Sequence, residues 1–276
     1  MVQVCLNGGR GAADGVGVPM IPGAMGDSAA GAVLAGASDV HVHPKTPCGR
    51  DTLSARVVAA TLEAIRARVA VPVDVTTGAW AEPEPIARVE RVRSWTVLPD
   101  HASVNWHEPG AEELTAALLD LGIGVEAGIW SGTDGAARFL ASPLGPRVLR
   151  VLAEVTDASP KTAERSARSL LADLGTAHGR PVLLHGEEGG TWPVLRLAGR
   201  LGLATRIGLE DTLVLPDGQR AMSNARLVEE GLCTGAPGAR RSGTASPHAE
   251  ESDASSRKSA RSTPFSSGQL GAMKPR

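Results

Sequence analysis

Short apolar runs alternate with amphipathic stretches through the first ~230 residues of this 276-residue chain, and that alternation restricts its fold more than any other feature. Val2 to Asn7, Asp39 to His43, Val71 to Thr77 and His101 to Trp106 read as strands, followed by Ile123 to Ile129, Val148 to Val155, Pro181 to His185 and Thr205 to Leu209. Pro72 falls at a strand start, where proline is tolerated. The segments between them carry helical periodicity: 28–36, 53–68, 85–95, 111–121, 133–140, 160–178, 192–201 and 222–230. Ser159 is a plausible N-cap for the longest of these. Eight β/α units in this length predict an α/β fold, a (β/α)8 TIM barrel, whose usual size is about 250 residues. A doubly wound open sheet is the alternative. It would carry a Gly-x-Gly-x-x-Gly loop after the first strand, and Gly8-Gly9-Arg10-Gly11 lacks that spacing.

Composition narrows the function. The formal net charge is −2, with no Tyr and only two Phe, so neither a polyanion-binding surface nor a base-stacking platform is expected. The three isolated cysteines form no Cys-x-x-Cys motif, which fits a reducing, cytoplasmic setting. No uninterrupted apolar stretch of about 18 residues suggests a membrane span, and no secretory signal is evident. Residues 233–276 are rich in Ser, Ala, Gly, Arg and Pro, with 7 Lys/Arg against 3 Asp/Glu, leaving 21 against 27 in the remainder. The expectation is a barrel over residues 1–232 and a disordered basic tail over 233–276.

Polar residues collect where the strands end. Asn7, His41, His43, Thr76, Thr77, Asn105, His107, Glu126, His185, Glu187 and Glu210 are all expected at or just past strand C-terminal ends, the catalytic face of a barrel. In a strand, positions i and i+2 share a face, so His41 and His43 can grip one metal ion. In a closed barrel the eighth strand lies beside the first, and the second flanks it on the other side. Glu210 can therefore approach the two imidazoles, and two His with one Glu form an open zinc set. The bland alternative is a pair of structural histidines.

Arg206 with Asp211 reads as a carboxylate fork beside a base, or as a structural ion pair. Glu126, inside an apolar strand, is either a functional acid/base or the partner of an Arg or His. Thr76-Thr77-Gly78 offers hydroxyls and an N–H to an oxyanion, although such groups also cap helices. Asn105 and His107 are expected near the floor of the site, His107 behind the ligands rather than on the metal. His101, at a strand start, is expected to be structural, and His178 to sit at a helix end where a cation suits the dipole.

Together, Leu6-Asn7-Gly8, Val40-His41-Val42-His43-Pro44, Thr76-Thr77-Gly78, Ser103-Val104-Asn105 and Arg206-Ile207-Gly208-Leu209-Glu210-Asp211 resemble the beta-keto acid cleavage enzymes, from about Val2 to Leu232. The resemblance implies a zinc-dependent (β/α)8 barrel, usually a homotetramer, that condenses a β-keto acid with acetyl-CoA and yields acetoacetate and a new acyl-CoA. It implies zinc ligands at His41, His43 and Glu210, and a deprotonating pair at Arg206 and Asp211. It further implies a carboxylate-binding residue at Thr76 and an acidic active-site residue at Glu126. The family's 3-keto-5-aminohexanoate cleavage enzyme has a Glu after its first strand that reads an amino group. Arg10 stands there in this chain, which disfavours an ammonium substrate and suits an uncharged or anionic one. Another metal-dependent barrel lyase or hydrolase, or a non-catalytic metal-binding barrel, remains open on the residues alone.

Overall fold

The computed structural model describes residues 1–14 and 17–235. The tail expected from 233 lies outside them except for its first three residues, which finish the last helix and its turn. Eight parallel strands form the barrel: β1 Val2–Cys5, β2 Asp39–Val42, β3 Val73–Thr76, β4 His101–Asn105, β5 Gly124–Trp130, β6 Arg150–Val155, β7 Val182–Gly186 and β8 Thr205–Ile207. Eight helices lie in the chain after them: α1 Pro22–Leu34, α2 Ala55–Arg66, α3 Pro85–Arg93, α4 Ala111–Asp120, α5 Gly135–Ala141, α6 Ala163–Leu174, α7 Thr191–Leu201 and α8 Asn224–Cys233. Sequential strands pair from β1 to β7, and β1 also pairs with β8, with Val4 opposite both Val40 and Ile207. A bridge from Leu183 to Ala204 brings β7 to the start of β8 and closes the ring. The Leu184 N–H donates to the Ala204 carbonyl at 2.9 Å there.

The alternation of side chains in a strand divides this barrel sharply. Outward positions such as Val40, Val42, Val73 and Val75 are buried and apolar, and belong to the main core with the helices. In α2, Val58, Leu62 and Ile65 form one apolar stripe at helical spacing; in α6, Ala163, Ala167, Leu170 and Leu174 do the same. Inward positions are largely polar. Gln3 donates to Asp39 at 3.1 Å, and Asp39 also receives His101 at 3.1 Å and Arg150 at 3.0 Å. Buried charges are tolerable here because they are paired.

Two helices differ from the sequence expectation. The first starts at Pro22 rather than at 28, because proline suits the first helical turn, where its missing N–H is no loss. The helix expected over 160–178 is only Ala163–Leu174. Gly175 leaves helical space at φ +54, and a short 3₁₀ turn at Ala177–Gly179 follows, with Ala177 at φ +47 and His178 at φ +54. His178 therefore caps no long helix; its Nε2 faces the Phe139 carbonyl at 3.3 Å and its ring meets Phe139 edge-on. Ser223, just before α8, is a true N-cap that accepts from the Arg226 N–H at 3.2 Å. No helix among the described residues is long and apolar enough to cross a membrane.

Candidate active site

The structure brings His41, His43 and Glu210 together at the C-terminal end of the barrel. The Nε2 atoms of His41 and His43 are 3.1 Å apart; Glu210 reaches the first with Oε2 at 3.5 Å and the second with Oε1 at 3.6 Å. Bonds of 2.0–2.1 Å to a tetrahedral ion place its ligand atoms about 3.3 Å apart. One ligand atom from each of the three residues lies within 4.8 Å of the others, close enough for one zinc ion to be held after small side-chain shifts, and the Glu210 Oε2 is buried without a hydrogen-bond partner.

Each imidazole is aimed from behind by a carboxylate. Asp74 on β3 holds the Nδ1 of His41, and Asp51 holds that of His43 at 3.1 Å. A proton kept on Nδ1 leaves the Nε2 lone pair to face the centre. Buried Lys45 in turn pairs with Asp51 at 2.5 Å and donates to the Gly8 carbonyl at 2.5 Å. Behind Asp74 stands His101, 3.0 Å away, and behind His101 the Asp39–Arg150–Glu126 chain. His101 is thus held between two carboxylates and lies only one carboxylate away from His41. Burial pushes the His101 charge down, but Asp74 and Asp39 outweigh it and raise its pKa to about 10. Burial likewise opposes the charge of Asp74, while His41 and His101 hold it far below the usual carboxylate range.

Glycine makes room for Glu210. Gly8 sits at φ +49, and a Cβ there would come within 2.2 Å of the Glu210 Cγ. Arg206 donates from Nη2 to Glu210 Oε1 at 3.0 Å, and its Nε lies 3.7 Å from Asp211. On the far side of Asp211 is His185 at 3.3 Å, which reaches Glu154 on β6 at 3.3 Å. Burial and Arg206 press the His185 charge down; Asp211 and Glu154 override them and raise its pKa to about 9. Burial alone would keep a proton on Asp211, but His185 and Arg206 hold it ionised.

The remaining expected residues fall in different places. Glu126 is the third residue of β5, not at its C-terminal end, and is bound to Arg150 deep in the barrel. That is the ion-pair alternative of its two readings. Thr77 donates to the Ser103 carbonyl at 2.6 Å, while Thr76 receives the Gly78 N–H at 3.4 Å. Asn105 donates to Glu108 at 2.9 Å, and Glu108 is fixed by Arg88. His107 packs against Trp130, with centroids 4.7 Å apart, outside the ligand triangle. Arg10 reaches the rim of the site, where its Nη2 binds Glu188 at 2.5 Å and the Glu210 carbonyl at 3.2 Å, and its Nε binds the Leu209 carbonyl at 3.2 Å.

Sequence reasoning missed Asp74, Asp51, Lys45 and the need for Gly8. Asp74 did leave a signal: a carboxylate at an inward position of an apolar strand, next to the strand that carries His-x-His. Asp51 left none, since its approach to His43 depends on the fold of the loop after β2.

Over residues 1–233 the chain matches a family model described as beta-keto acid cleavage enzyme. No curated protein sequence matches it. Among solved structures it resembles the ternary complex of ObcA with C4-CoA adduct and oxalate, at 16% identity and a TM-score of 0.58, covering 77% of this chain and 62% of that one. It also resembles the apo structure of ObcA, at 16% identity and a TM-score of 0.59, covering 77% and 60% respectively. The binary complex of ObcA with oxaloacetate is similar at 17% identity and a TM-score of 0.56, covering 77% and 62%. At this identity the likeness is one of fold, and the chain spans about three-fifths of the length of the ObcA chains it matches.

Proposed function

The chain belongs to the beta-keto acid cleavage enzyme family, and from that premise we propose that it exchanges acyl groups between a β-keto acid and acetyl-CoA, with His41, His43 and Glu210 as the residues that would hold a zinc ion. The two-carbon carboxylate unit of the β-keto acid would take the acetyl group and leave as acetoacetate. The remaining acyl group would leave on CoA, so that one carbon–carbon bond forms and one breaks with no oxidant or reductant. The observation that carries this reading is the gathering of His41, His43 and Glu210 at the C-terminal mouth of the barrel, with one ligand atom from each within 4.8 Å of the others.

A bound zinc ion would supply Lewis acidity to the keto oxygen. The protein's own residues divide the rest. Asp74 and Asp51 orient the two imidazoles. Arg206 steadies Glu210 and presents positive charge beside the reacting carbon, while Asp211, kept ionised in a buried setting, assists removal of its proton. Thr76, Thr77 and Gly78 form the seat for the substrate carboxylate, with Asn105 shaping the adjoining wall and Arg10 the rim. Glu126 enters through Arg150, which holds Asp39 and through it His101, rather than as a proton donor. The ObcA complexes with a CoA adduct and with oxaloacetate support a keto acid and a CoA ester as the paired substrates.

The test is a panel of β-keto acids incubated with acetyl-CoA and scored by acetoacetate release, alongside metal analysis of the purified protein. One zinc per chain and CoA-dependent acetoacetate are expected, and His41→Ala should lose both. Full activity in that variant would remove zinc from the reaction, and turnover without CoA would point to a hydrolase or simple lyase.

A further inference from the structure

Lys45, in the loop after β2, is not one of the three residues gathered at the candidate metal centre, yet its ammonium touches the supports of two of them. We propose that Lys45 is a positioning residue that clasps the exits of β1 and β2 together, so that one ammonium group sets His43 through Asp51 and Glu210 through Gly8. The inference rests on the zinc site proposed above and names what keeps two of its three ligands in register.

Burial and pairing are the first argument. The Lys45 side chain is 1% exposed and that of Asp51 7%. A lysine goes so deep only when its charge is answered. Its Nζ meets Asp51 Oδ1 at 2.5 Å and donates to the Gly8 carbonyl at 2.5 Å. Asp51 turns its other oxygen, Oδ2, to the Nδ1 of His43 at 3.1 Å. Ammonium and imidazole thus divide one carboxylate between them. Without the lysine, nothing fixes which way that carboxylate turns, and the ring it aims is loosened.

The loop is built to deliver this contact. Lys45 and Asp51 face each other across a short antiparallel bridge. Thr46 closes the turn between them, its N–H donating to the Arg50 carbonyl at 2.7 Å and its hydroxyl oxygen accepting the Arg50 N–H at 3.1 Å. The Thr52 N–H returns to the Pro44 carbonyl at 3.0 Å.

The contact with Gly8 is the second argument. Gly8 is the surface against which Glu210 lies, since a Cβ there would meet the Cβ, Cγ and Cδ of Glu210 within 2.9 Å. Lys45 therefore holds the floor beneath the third ligand by its carbonyl. Asn7 makes another link between the two exits, but to main chain: its side chain pairs with the His43 N–H and carbonyl, both at 3.0 Å. That link sets the height of His43 in the barrel and leaves the rotation of the ring to Asp51. Three donors on one tetrahedral nitrogen let lysine reach partners in two directions at once.

Zinc affinity, measured by competition with a chromophoric chelator, and the urea midpoint of the metal-free protein test the clasp together. Both are compared in wild type, Lys45→Met, Asp51→Asn and the double variant. Methionine keeps the apolar stem but loses the charge and the donors. Lys45→Met should weaken zinc about tenfold. The double variant leaves no buried carboxylate unpaired at this point, so its urea midpoint should lie near that of the wild type, and it remains measurable where the single variant fails to fold. Its zinc affinity should nevertheless be about threefold below that of Asp51→Asn alone, because the hold on Gly8 is lost as well. A Lys45→Met protein that binds zinc within about twofold of wild type would overturn the clasp. So would a double variant that binds zinc as tightly as Asp51→Asn, since the lysine would then serve one ligand or only the fold. A wild type that binds no zinc would sink the metal site and the clasp with it, whereas a zinc-binding wild type indifferent to Lys45 would sink the clasp alone.

Discussion

Asp74 lies outside the proposed ligand set yet would govern it. It sits fully buried between His41 and His101, and its two oxygens hold one imidazole each. Asp74→Asn keeps the shape but removes the charge and offers His41 either an acceptor or a donor, so the ring is no longer committed to one tautomer. Zinc affinity should fall about 10–100-fold, measured by competition with a chromophoric chelator, while the far-ultraviolet circular dichroism stays unchanged. Unaltered affinity would show that His41 needs no partner. The gathering of the proposed ligands was legible from the chain because residue spacing dictates it: His41 and His43 share a face by strand period alone, and Glu210 follows from the adjacency of first and last strands. Asp51 and Lys45 were not legible, because nothing local in 44–53 records that this loop folds back to lay Asp51 on His43.

At the level of elements, the joint between β1 and β8 positions Glu210. Gly208 follows β8 directly, and a Cβ there would fall 1.8 Å from the Cys5 carbonyl oxygen. Both atoms belong to backbone-defined positions in adjoining strands, so no side-chain movement relieves the contact. Gly208→Ala should push β8 off β1 and cost about 3 kcal/mol of stability, read from the shift of a urea unfolding midpoint. The same displacement should weaken zinc binding; a variant as stable as the wild type would refute so close an approach. The strands were readable from the sequence because apolar runs bounded by turn residues mark them, and every one of the eight expected is present. Helix ends were harder. Around α6 the apolar spacing continues past Leu174, yet Gly175 and the left-handed pair Ala177 and His178 end the helix for reasons of backbone geometry that periodicity does not record. Glu126 was misplaced along β5 for a related reason, since its depth in the barrel depends on strand stagger rather than on its neighbours in the chain.

Across the whole molecule, the polar interior makes stability depend on pH. His101 titrates near 10 in the folded protein, against ~6.5 in an unfolded chain. A folded pKa raised in this way stabilises fully below ~6.5, and the gain is lost as pH rises through about 10. Asp74 acts in the opposite direction: its depressed pKa stabilises above ~3.9 and is lost only in stronger acid. The melting temperature of the metal-free protein should therefore hold between about pH 5 and 6.5 and fall from about pH 7 to 10. His101→Gln should flatten that alkaline fall while lowering the plateau by about 3 kcal/mol, because Asp39 and Asp74 lose a buried counter-charge. A wild-type curve that is level to pH 10 would contradict it.

Where β8 meets β7 the ring is closed by the Leu183–Ala204 bridge, by the Thr205 hydroxyl on the Leu184 carbonyl at 2.8 Å, and beyond the strands by Asp211, which meets His185 at 3.3 Å. The two imidazoles stand on the second strand and its exit, and the carboxylate stands just after the eighth. An ion held by all three would thus act as a rivet between the opening and closing segments of the polypeptide. Such an ion would add its binding free energy to the stability of the closed ring, so the unfolding midpoint should rise with the concentration of free metal.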